Sequence, residues 1–232
     1  MDSRLQEIAE NLDKMKIGVD EPFRFHCDQC GKCCINREDI LLNPRDVYNM
    51  AKELGQEPKD VFALYCEYYI GSDSRFPLVR IKPRGSIKRC PLMKDRKCSI
   101  HKAKPTVCAL FPIGRCISFE QKKEKLTTED ITYIFTNPGC GDTSESHTVR
   151  EWLGEFGIPI EDIYFLLWND ILMKLSAIFR QAEKKVSPSL MDKAWDLTFI
   201  KLYLDYDMTQ DFLPQFEQSS RELVELMQNL PH

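Results

Sequence analysis

Four cysteines lie within eight residues near the start of the chain, in the run Cys27-Asp28-Gln29-Cys30-Gly31-Lys32-Cys33-Cys34. Two-residue gaps allow successive thiolates to turn back onto one ion or cluster, and Gly31 permits the positive φ that a tight ligand loop often needs. Free cysteines are usually kept for their reactivity rather than for packing. The run therefore predicts a metal site rather than four buried core residues.

The adjacent pair Cys33-Cys34 restricts how such a site is built. Neighbouring Cα atoms are about 3.8 Å apart, and in extended chain the two side chains diverge. We therefore expect the pair to serve two centres or opposite sides of one cluster, rather than one mononuclear ion. A vicinal disulfide is the competing interpretation, which ring strain and a reducing cytosol disfavour.

A second group of cysteines follows much later, at Cys90, Cys98 and Cys108. Pro105 predicts the start of a short helix with Cys108 in its first turn, where the amide dipoles favour a thiolate. Cys27, Cys30 and Cys33 match the first three cysteines of a ferredoxin-like run, and Cys90-Pro91 resembles its fourth, displaced far downstream.

The remaining cysteines divide by their surroundings. Cys140 lies in the turn-rich Asn137-Pro138-Gly139-Cys140-Gly141 and is favoured as a ligand over Cys116, which opens a strand-like segment. Cys66 lies in an apolar stretch and is predicted to be core. His26 and His101 stand beside the cysteine motifs, and either could be a nitrogen ligand. For His101 an equal interpretation is a turn residue whose side chain is bonded to the backbone.

Residues 80–104 carry ten lysines and arginines against one acid, Asp95. One interpretation is a solvated surface loop. A second is charge balance, since four thiolates around a divalent ion leave two surplus negative charges. A third, a docking patch for an anionic ligand or RNA, ranks last because the segment has no interleaved aromatic residues.

The whole chain has a net charge of −4 and a pI of about 5.7, which exclude a general affinity for nucleic acid or anionic membranes. The polar N-terminus has no signal-peptide core, and no later segment is long and uncharged enough to span a membrane. We therefore expect a cytoplasmic protein with no membrane or nucleic-acid partner. Thiols stay reduced there, so the ten cysteines are expected to be metal ligands rather than disulfides.

Hydrophobic periodicity predicts an α+β fold in three parts. The first, residues 1–22, is an N-terminal helix that extends to about residue 19. The second, residues 23–145, is a small cysteine-rich metal-binding domain of short strands and helices. Its strands are predicted at 23–26, 39–42, 76–81, 116–120 and 131–136, and its helices at 44–54 and 58–69. The third, residues 146–232, is mainly α-helical and packs on the second, with helices at 160–184, 190–206 and 214–230.

The combined motifs resemble the YkgJ-like cysteine-cluster family, a zinc- or iron-chelating domain with a CxxCxxCC signature. The resemblance covers about residues 23–141, and it implies metal ligation by Cys27, Cys30, Cys33, Cys34, Cys90, Cys98 and Cys108. Members often have arginine where this chain has Lys104, and many have Cys-Pro-Gly where this chain has Asn137-Pro138-Gly139. The cysteine is displaced to Cys140, which completes our candidate set.

The leading hypothesis is a cysteine-ligated metal-binding protein that holds an iron–sulfur cluster or Zn²⁺ as a structural, redox or sensory centre. An alternative is a protein-modifying enzyme, because the resemblance extends to flagellin lysine-N-methylases. The chain has, however, neither a GxGxxG loop nor a CxxxCxxC triplet. A third hypothesis is a zinc-stabilised interaction module that binds a protein partner through its C-terminal helices.

Overall fold

The computed structural model describes residues 10–117 and 126–230. The chain has an α+β fold with helices concentrated toward its C-terminus, as the sequence predicts. The strands are β1 (Pro22–His26), β2 (Leu41–Leu42), β3 (Cys66–Ile70), β4 (Pro77–Ile81), β5 (Met93–Lys94), β6 (Lys97–Cys98), β7 (Ile113–Ile117), β8 (Ile131–Phe135) and β9 (Asp142–Thr148). None of the helices in these ranges is long and apolar enough to cross a membrane.

The helices are α1 (Pro44–Leu54), α2 (Pro58–Tyr65), α3 (Thr106–Leu110), α4 (Val149–Gly154), α5 (Ile163–Ala182), α6 (Pro188–Phe199) and α7 (Phe212–Gln228). Residues 10–15 are also helical, and a π-helical turn, Ile200–Leu204, continues α6. The chain forms two compact units. The first comprises described residues 10–32, 107–117 and 126–166, and the second comprises residues 33–106 and 167–230. The three-part division of the sequence stays a prediction.

The second unit contains an antiparallel sheet of order β2-β4-β3. Helix α1 begins after β2 because Asn43 caps it. The Asn43 side chain accepts a hydrogen bond from the Asp46 amide, and the Asp46 carboxylate accepts one from the Asn43 amide. Pro44 occupies the first turn of the helix. Gly55 ends the helix with a φ of 62°, which glycine adopts without steric cost.

Aromatic side chains fill the core of the second unit. Phe76 and Tyr203 are fully buried, and each meets the Trp168 ring edge-on. Phe216 from α7 is likewise buried against Trp168. These contacts join the sheet to the C-terminal helices through residues far apart in sequence, which gives the unit one continuous core.

The first unit is built on two antiparallel ribbons, β1-β9 and β7-β8. Its core is an apolar cluster from both ribbons, α4 and the segment around residue 110, made of Phe23, Phe25, Leu110, Ile113, Tyr133, Val149, Trp152 and Leu153. The indole of Trp152 donates to the carbonyls of Ala109 and Leu110, at 3.2 Å each, and so fixes the end of α3.

Several predicted elements are wrong in extent. The helix predicted over 58–69 ends at Tyr65, because residues 66–70 are rich in aromatic side chains and pair along their whole length with β4. The lead helix ends before Lys16, which bridges to Ile134; its residues 1–9 lie outside the described chain. The strand predicted over 116–120 begins earlier, as β7, and its residues 118–120 are not described.

Candidate metal centre

The first cysteine motif curves tightly. Gln29 and Gly31 have φ angles of 51° and 74°, so the expectation of a positive φ at Gly31 is confirmed. The carboxylate of Asp28 accepts from the Cys30 amide at 3.1 Å, which stabilises the turn. The motif then ends in a 3-10 turn, Lys32–Cys34.

The Cys33 and Cys34 sulfur atoms lie 3.9 Å apart. The expectation that these side chains diverge is wrong, because the pair occupies a 3-10 turn rather than extended chain. Two thiolates on one tetrahedral zinc, with Zn–S bonds of about 2.3 Å, are about 3.8 Å apart. The pair therefore has the spacing of two ligands of a single ion. Cys33 and Cys34 are not joined by a disulfide, and the separation of their sulfur atoms is far longer than an S–S bond.

The pKa of the Cys33 thiol is lowered, whereas the pKa values of Cys66, Cys90 and Cys98 in the same unit are raised. The pKa of Cys33 is lowered to about 6, first by the hydrogen bond from Cys34 and then by the positive charges of Lys104 and Arg37. Cys33 is therefore largely a thiolate at neutral pH, the form that binds metals. Sequence reasoning counted Lys104 among the basic residues but missed Arg37, three residues beyond the motif.

Cys90 and Cys98 belong to the same unit. The Cys90 amide donates to the Cys34 carbonyl at 2.8 Å, and Cys98 ends the β5-β6 hairpin opposite Met93. Burial raises the pKa of both thiols, and the charge of Cys33 raises them further. The charge of Cys33 thus reaches both Cys90 and Cys98 within the second unit.

Asp46 positions the chain that carries Lys104, a role that sequence reasoning missed. One oxygen of this buried carboxylate accepts from the Thr106 amide at 2.8 Å and from the Thr106 hydroxyl at 2.6 Å. Its other oxygen accepts from the Asn43 amide at 3.0 Å. The Asn43-Pro44-Arg45-Asp46 sequence signals the cap, but no local signal indicates the bond to Thr106.

Cys27, Cys30, Cys108 and Cys140 belong to the first unit. Strand β1 pairs with β9 through His26 and Asp142, so Cys27 and Cys140 lie just beyond this last pair, at the same end of the ribbon. Gly141 makes this approach possible: a Cβ there would stand 2.3 Å from the His26 carbonyl oxygen. Cys140 therefore lies near the start of the first motif, and its role as a ligand stays a prediction.

Cys108 lies on α3, where the proline-initiated short helix is confirmed. Phe111, next along the chain, packs edge-on against Phe25 of β1 with ring centroids 6.1 Å apart. Within residues 10–117 and 126–230, no three histidine, cysteine or acidic side chains form a group that could hold a metal ion.

Comparison with known families finds a match within the chain. Residues 26–134 match the family CxxCxxCC, described as a putative zinc- or iron-chelating domain. This stretch of the chain is similar to that family. The match confirms the resemblance seen in the sequence and includes every predicted ligand except Cys140. Neither a curated protein nor a solved structure matches the chain.

Two further cysteines within residues 26–134, Cys66 and Cys116, have surroundings that favour a structural role. Cys66 on β3 is buried, as predicted for a core residue, and burial followed by the charge of Cys90 raises its pKa to about 12. Cys116 on β7 donates its S–H to the Thr132 carbonyl at 3.7 Å, and burial raises its pKa. Both environments favour the neutral thiol, which is a poor metal ligand.

The two histidines beside the motifs differ in their contacts. Nδ1 of His26 lies 3.0 Å from a Glu145 carboxylate oxygen, and this bond raises the pKa of His26. The contact with Glu145 therefore supports an ion pair as the role of His26, as an alternative to metal ligation. His101 is exposed at the start of a 3-10 turn, His101–Ala103.

Proposed function

We propose that the chain binds an iron–sulfur cluster or zinc through cysteine thiolates, as a structural, redox or sensory centre. The observation that carries the proposal is the 3.9 Å separation of the Cys33 and Cys34 sulfurs, which suits two thiolates on one metal ion. The description of the CxxCxxCC domain as zinc- or iron-chelating supports the same class of ligand.

We place the first four ligands in the second unit, at Cys33, Cys34, Cys90 and Cys98. Four thiolates around a divalent ion carry two surplus negative charges. Lys104 and Arg37, whose charges already act on Cys33, supply two positive charges to offset them. Cys27, Cys30, Cys108 and Cys140 of the first unit remain the other candidate ligands.

Thiolate sulfur suits both zinc and iron–sulfur clusters, so the ligand chemistry alone allows either. The two differ in spectrum: a cluster absorbs visible light and bleaches on reduction, whereas zinc is colourless and has no redox chemistry. Metal bound at these thiolates would hold the Cys33-Cys34 turn and the Cys90 and Cys98 segments together.

The test is to purify the full chain anaerobically, record its visible absorption and count zinc, iron and acid-labile sulfide per chain. We expect stoichiometric metal that falls to background in Cys33→Ser and survives in Cys116→Ser, because serine can keep the hydrogen bond to Thr132. Circular dichroism of both variants shows whether either has lost its fold. Wild-type protein without zinc or iron, prepared in medium that contains both, would refute the proposal.

A further inference from the structure

The two sulfurs of the Cys33-Cys34 pair are accessible to solvent as well as close together. They lie 3.9 Å apart in a direct side-chain contact, in which either thiol can donate to the other. Cys33 is exposed and Cys34 is partly exposed, whereas Cys66 in the same unit is buried. An oxidant in solution can therefore reach the Cys33 sulfur while a second sulfur is already in contact with it.

The turn that carries the pair is tied to two neighbouring segments. The Cys34 carbonyl accepts from the Cys90 amide at 2.8 Å, and the Asn36 amide donates to the Ile87 carbonyl at 2.9 Å. An S–S bond is about 2.05 Å long, so the two sulfurs must approach by about 1.9 Å to form one. Each sulfur is attached to its Cβ by a single bond, so a change in χ1 of the two side chains supplies movement on this scale.

A disulfide between neighbouring residues is strained. Adjacent Cα atoms are about 3.8 Å apart, which is below the usual range of about 4.4–6.8 Å for residues joined by a disulfide. Strain and exposure make a disulfide easy to reduce, and such bonds are regulatory or catalytic rather than structural. The strain that disfavours a permanent bond between Cys33 and Cys34 therefore suits a bond that forms and breaks reversibly.

We propose that the Cys33-Cys34 pair is a peroxide-sensitive switch, which hydrogen peroxide closes into a disulfide and a dithiol reductant reopens. The consequence for the metal rests on the proposed function: the oxidised pair offers no thiolate, so metal held by the pair together with Cys90 and Cys98 is released. The same two sulfurs therefore either bind metal or bond to each other.

The closing reaction takes place in two steps. The Cys33 thiolate attacks one oxygen of hydrogen peroxide, the O–O bond breaks, and hydroxide leaves, so that Cys33 becomes a sulfenic acid. The Cys34 sulfur then attacks the Cys33 sulfur, the S–O bond breaks, and the departing hydroxide takes the Cys34 proton as water. The two thiols together lose two electrons and two protons, and the peroxide is reduced to water.

Tryptic mass spectrometry tests the switch directly. Cleavage after Lys32 and Arg37 releases both sulfurs in one peptide, Cys33-Cys34-Ile35-Asn36-Arg37, which contains no other cysteine. The whole chain is treated with chelator, exposed to hydrogen peroxide, alkylated with iodoacetamide and digested. We expect the peptide to lack two hydrogen atoms and to carry no alkyl group, and dithiothreitol to restore both alkylation sites. A peptide that stays fully alkylated while other cysteines are oxidised, or one joined to a peptide containing Cys90 or Cys98, would overturn the proposal.

Two variants separate the pair from general oxidation of cysteines. In Cys34→Ser the Cys33 sulfenic acid has no thiol beside it, so we expect it to advance to sulfinic and sulfonic acid, which dithiothreitol does not reverse. Cys116→Ser removes a thiol whose S–H is bonded to the Thr132 carbonyl and should leave the yield of the disulfide unchanged. Fully reversible oxidation of Cys33 in Cys34→Ser would show that another thiol forms the bond and would contradict the proposal.

A second measurement separates the switch from the proposed metal centre. Protein loaded with Zn²⁺ is treated with hydrogen peroxide in the presence of a chromogenic chelator. We expect zinc to be lost as the disulfide forms and to bind again after dithiothreitol and fresh zinc are added. Zinc that stays bound after the disulfide has formed would overturn the switch and leave the metal centre intact. Protein that binds neither zinc nor iron would refute the proposed function, whereas a disulfide formed in chelator-treated protein would still support the redox chemistry of the pair.

Discussion

The amide of Cys90 donates a 2.8 Å hydrogen bond to the carbonyl of Cys34. This bond joins the Cys33-Cys34 segment to the Cys90 segment through their backbones, so it fixes the distance between two cysteine-bearing segments without involving either sulfur. Backbone bonds of this kind persist when a thiol ionises or binds metal, which leaves the side chains free to serve a centre.

If Cys33 and Cys90 serve the same centre, their effects should not add. We expect Cys33→Ser and Cys90→Ser each to reduce the metal bound by the second unit to background, and the double variant to lose no more than either. Metal per chain, counted after anaerobic purification, measures this, with Cys116→Ser as the control that keeps its metal. Additive partial losses would assign the two thiols to separate centres.

The acidity of Cys33 predicts selective alkylation. Its pKa of about 6 means that it is a reactive thiolate above that pH, whereas Cys98, whose pKa burial raises, stays protonated. In chelator-treated protein we expect iodoacetamide to modify Cys33 with a midpoint near pH 6 and Cys98 only in alkaline solution. Mass spectrometry of the separated peptides reports both rates. A common midpoint for the two thiols would contradict the prediction.

Lys104 contributes to that acidity, so its removal should be visible in the same titration. Lys104→Gln is expected to move the Cys33 midpoint upward by about half a pH unit, the effect of one charge acting partly through solvent. Added salt should shrink the difference between variant and wild type. Lys52→Gln, which neutralises an exposed lysine on α1, is the matched control and should leave the midpoint in place.

Local signals in the sequence were sufficient to predict those turns and helix ends that depend only on neighbouring residues. Asn43, Pro44 and Gly55 mark both ends of α1, and Gly31 marks the turn of the first motif. The strand β9, by contrast, has the polar sequence Asp142–Thr148 with no apolar alternation. Backbone pairing with β1 holds β9 in place, and the side chains of β9 give no indication that this segment forms a strand.

The arrangement of the site was predictable in its residue types but not in its distances. The cysteine spacing indicates thiolate ligation, yet the Cys33-Cys34 geometry depends on a 3-10 turn that the sequence does not specify. The bond from Cys90 to Cys34 joins segments far apart in the chain, as does that from Thr106 to Asp46. Such contacts arise from tertiary packing, which periodicity and capping rules do not address.

The carboxylate of Asp46 should be important for stability because it accepts from three donors while buried. In Asp46→Asn one carboxylate oxygen becomes an amide nitrogen, which faces an N–H donor in either orientation. We expect the free energy of unfolding to fall by about 2 kcal/mol, measured by urea denaturation. Asp60→Asn, an exposed substitution in the first turn of α2, should cost less than about 0.5 kcal/mol. Equal losses in the two variants would contradict this role.

The first unit contains a buried ion pair whose disruption should be severe. Arg115 lies 3.0 Å from Asp162, the two side chains are 3% and 2% exposed, and the guanidinium covers the Phe165 ring at 4.0 Å. Arg115→Met keeps much of the volume but removes the positive charge beside a buried carboxylate. We expect a loss of about 3–5 kcal/mol in the free energy of unfolding, measured by urea denaturation followed by tryptophan fluorescence.

Two further variants show whether the unpaired buried charge of Asp162 causes the loss of stability in Arg115→Met. The double variant Arg115→Met/Asp162→Asn leaves no ionised group in the pocket, and the amide oxygen can still accept from the Phe165 amide. It should therefore be more stable than Arg115→Met alone. Arg150→Met breaks the exposed pair between Arg150 and Asp20, whose side chains are 56% and 68% exposed, and should change stability little. If the double variant is less stable than the single one, packing against Phe165 rather than charge pairing dominates at this position.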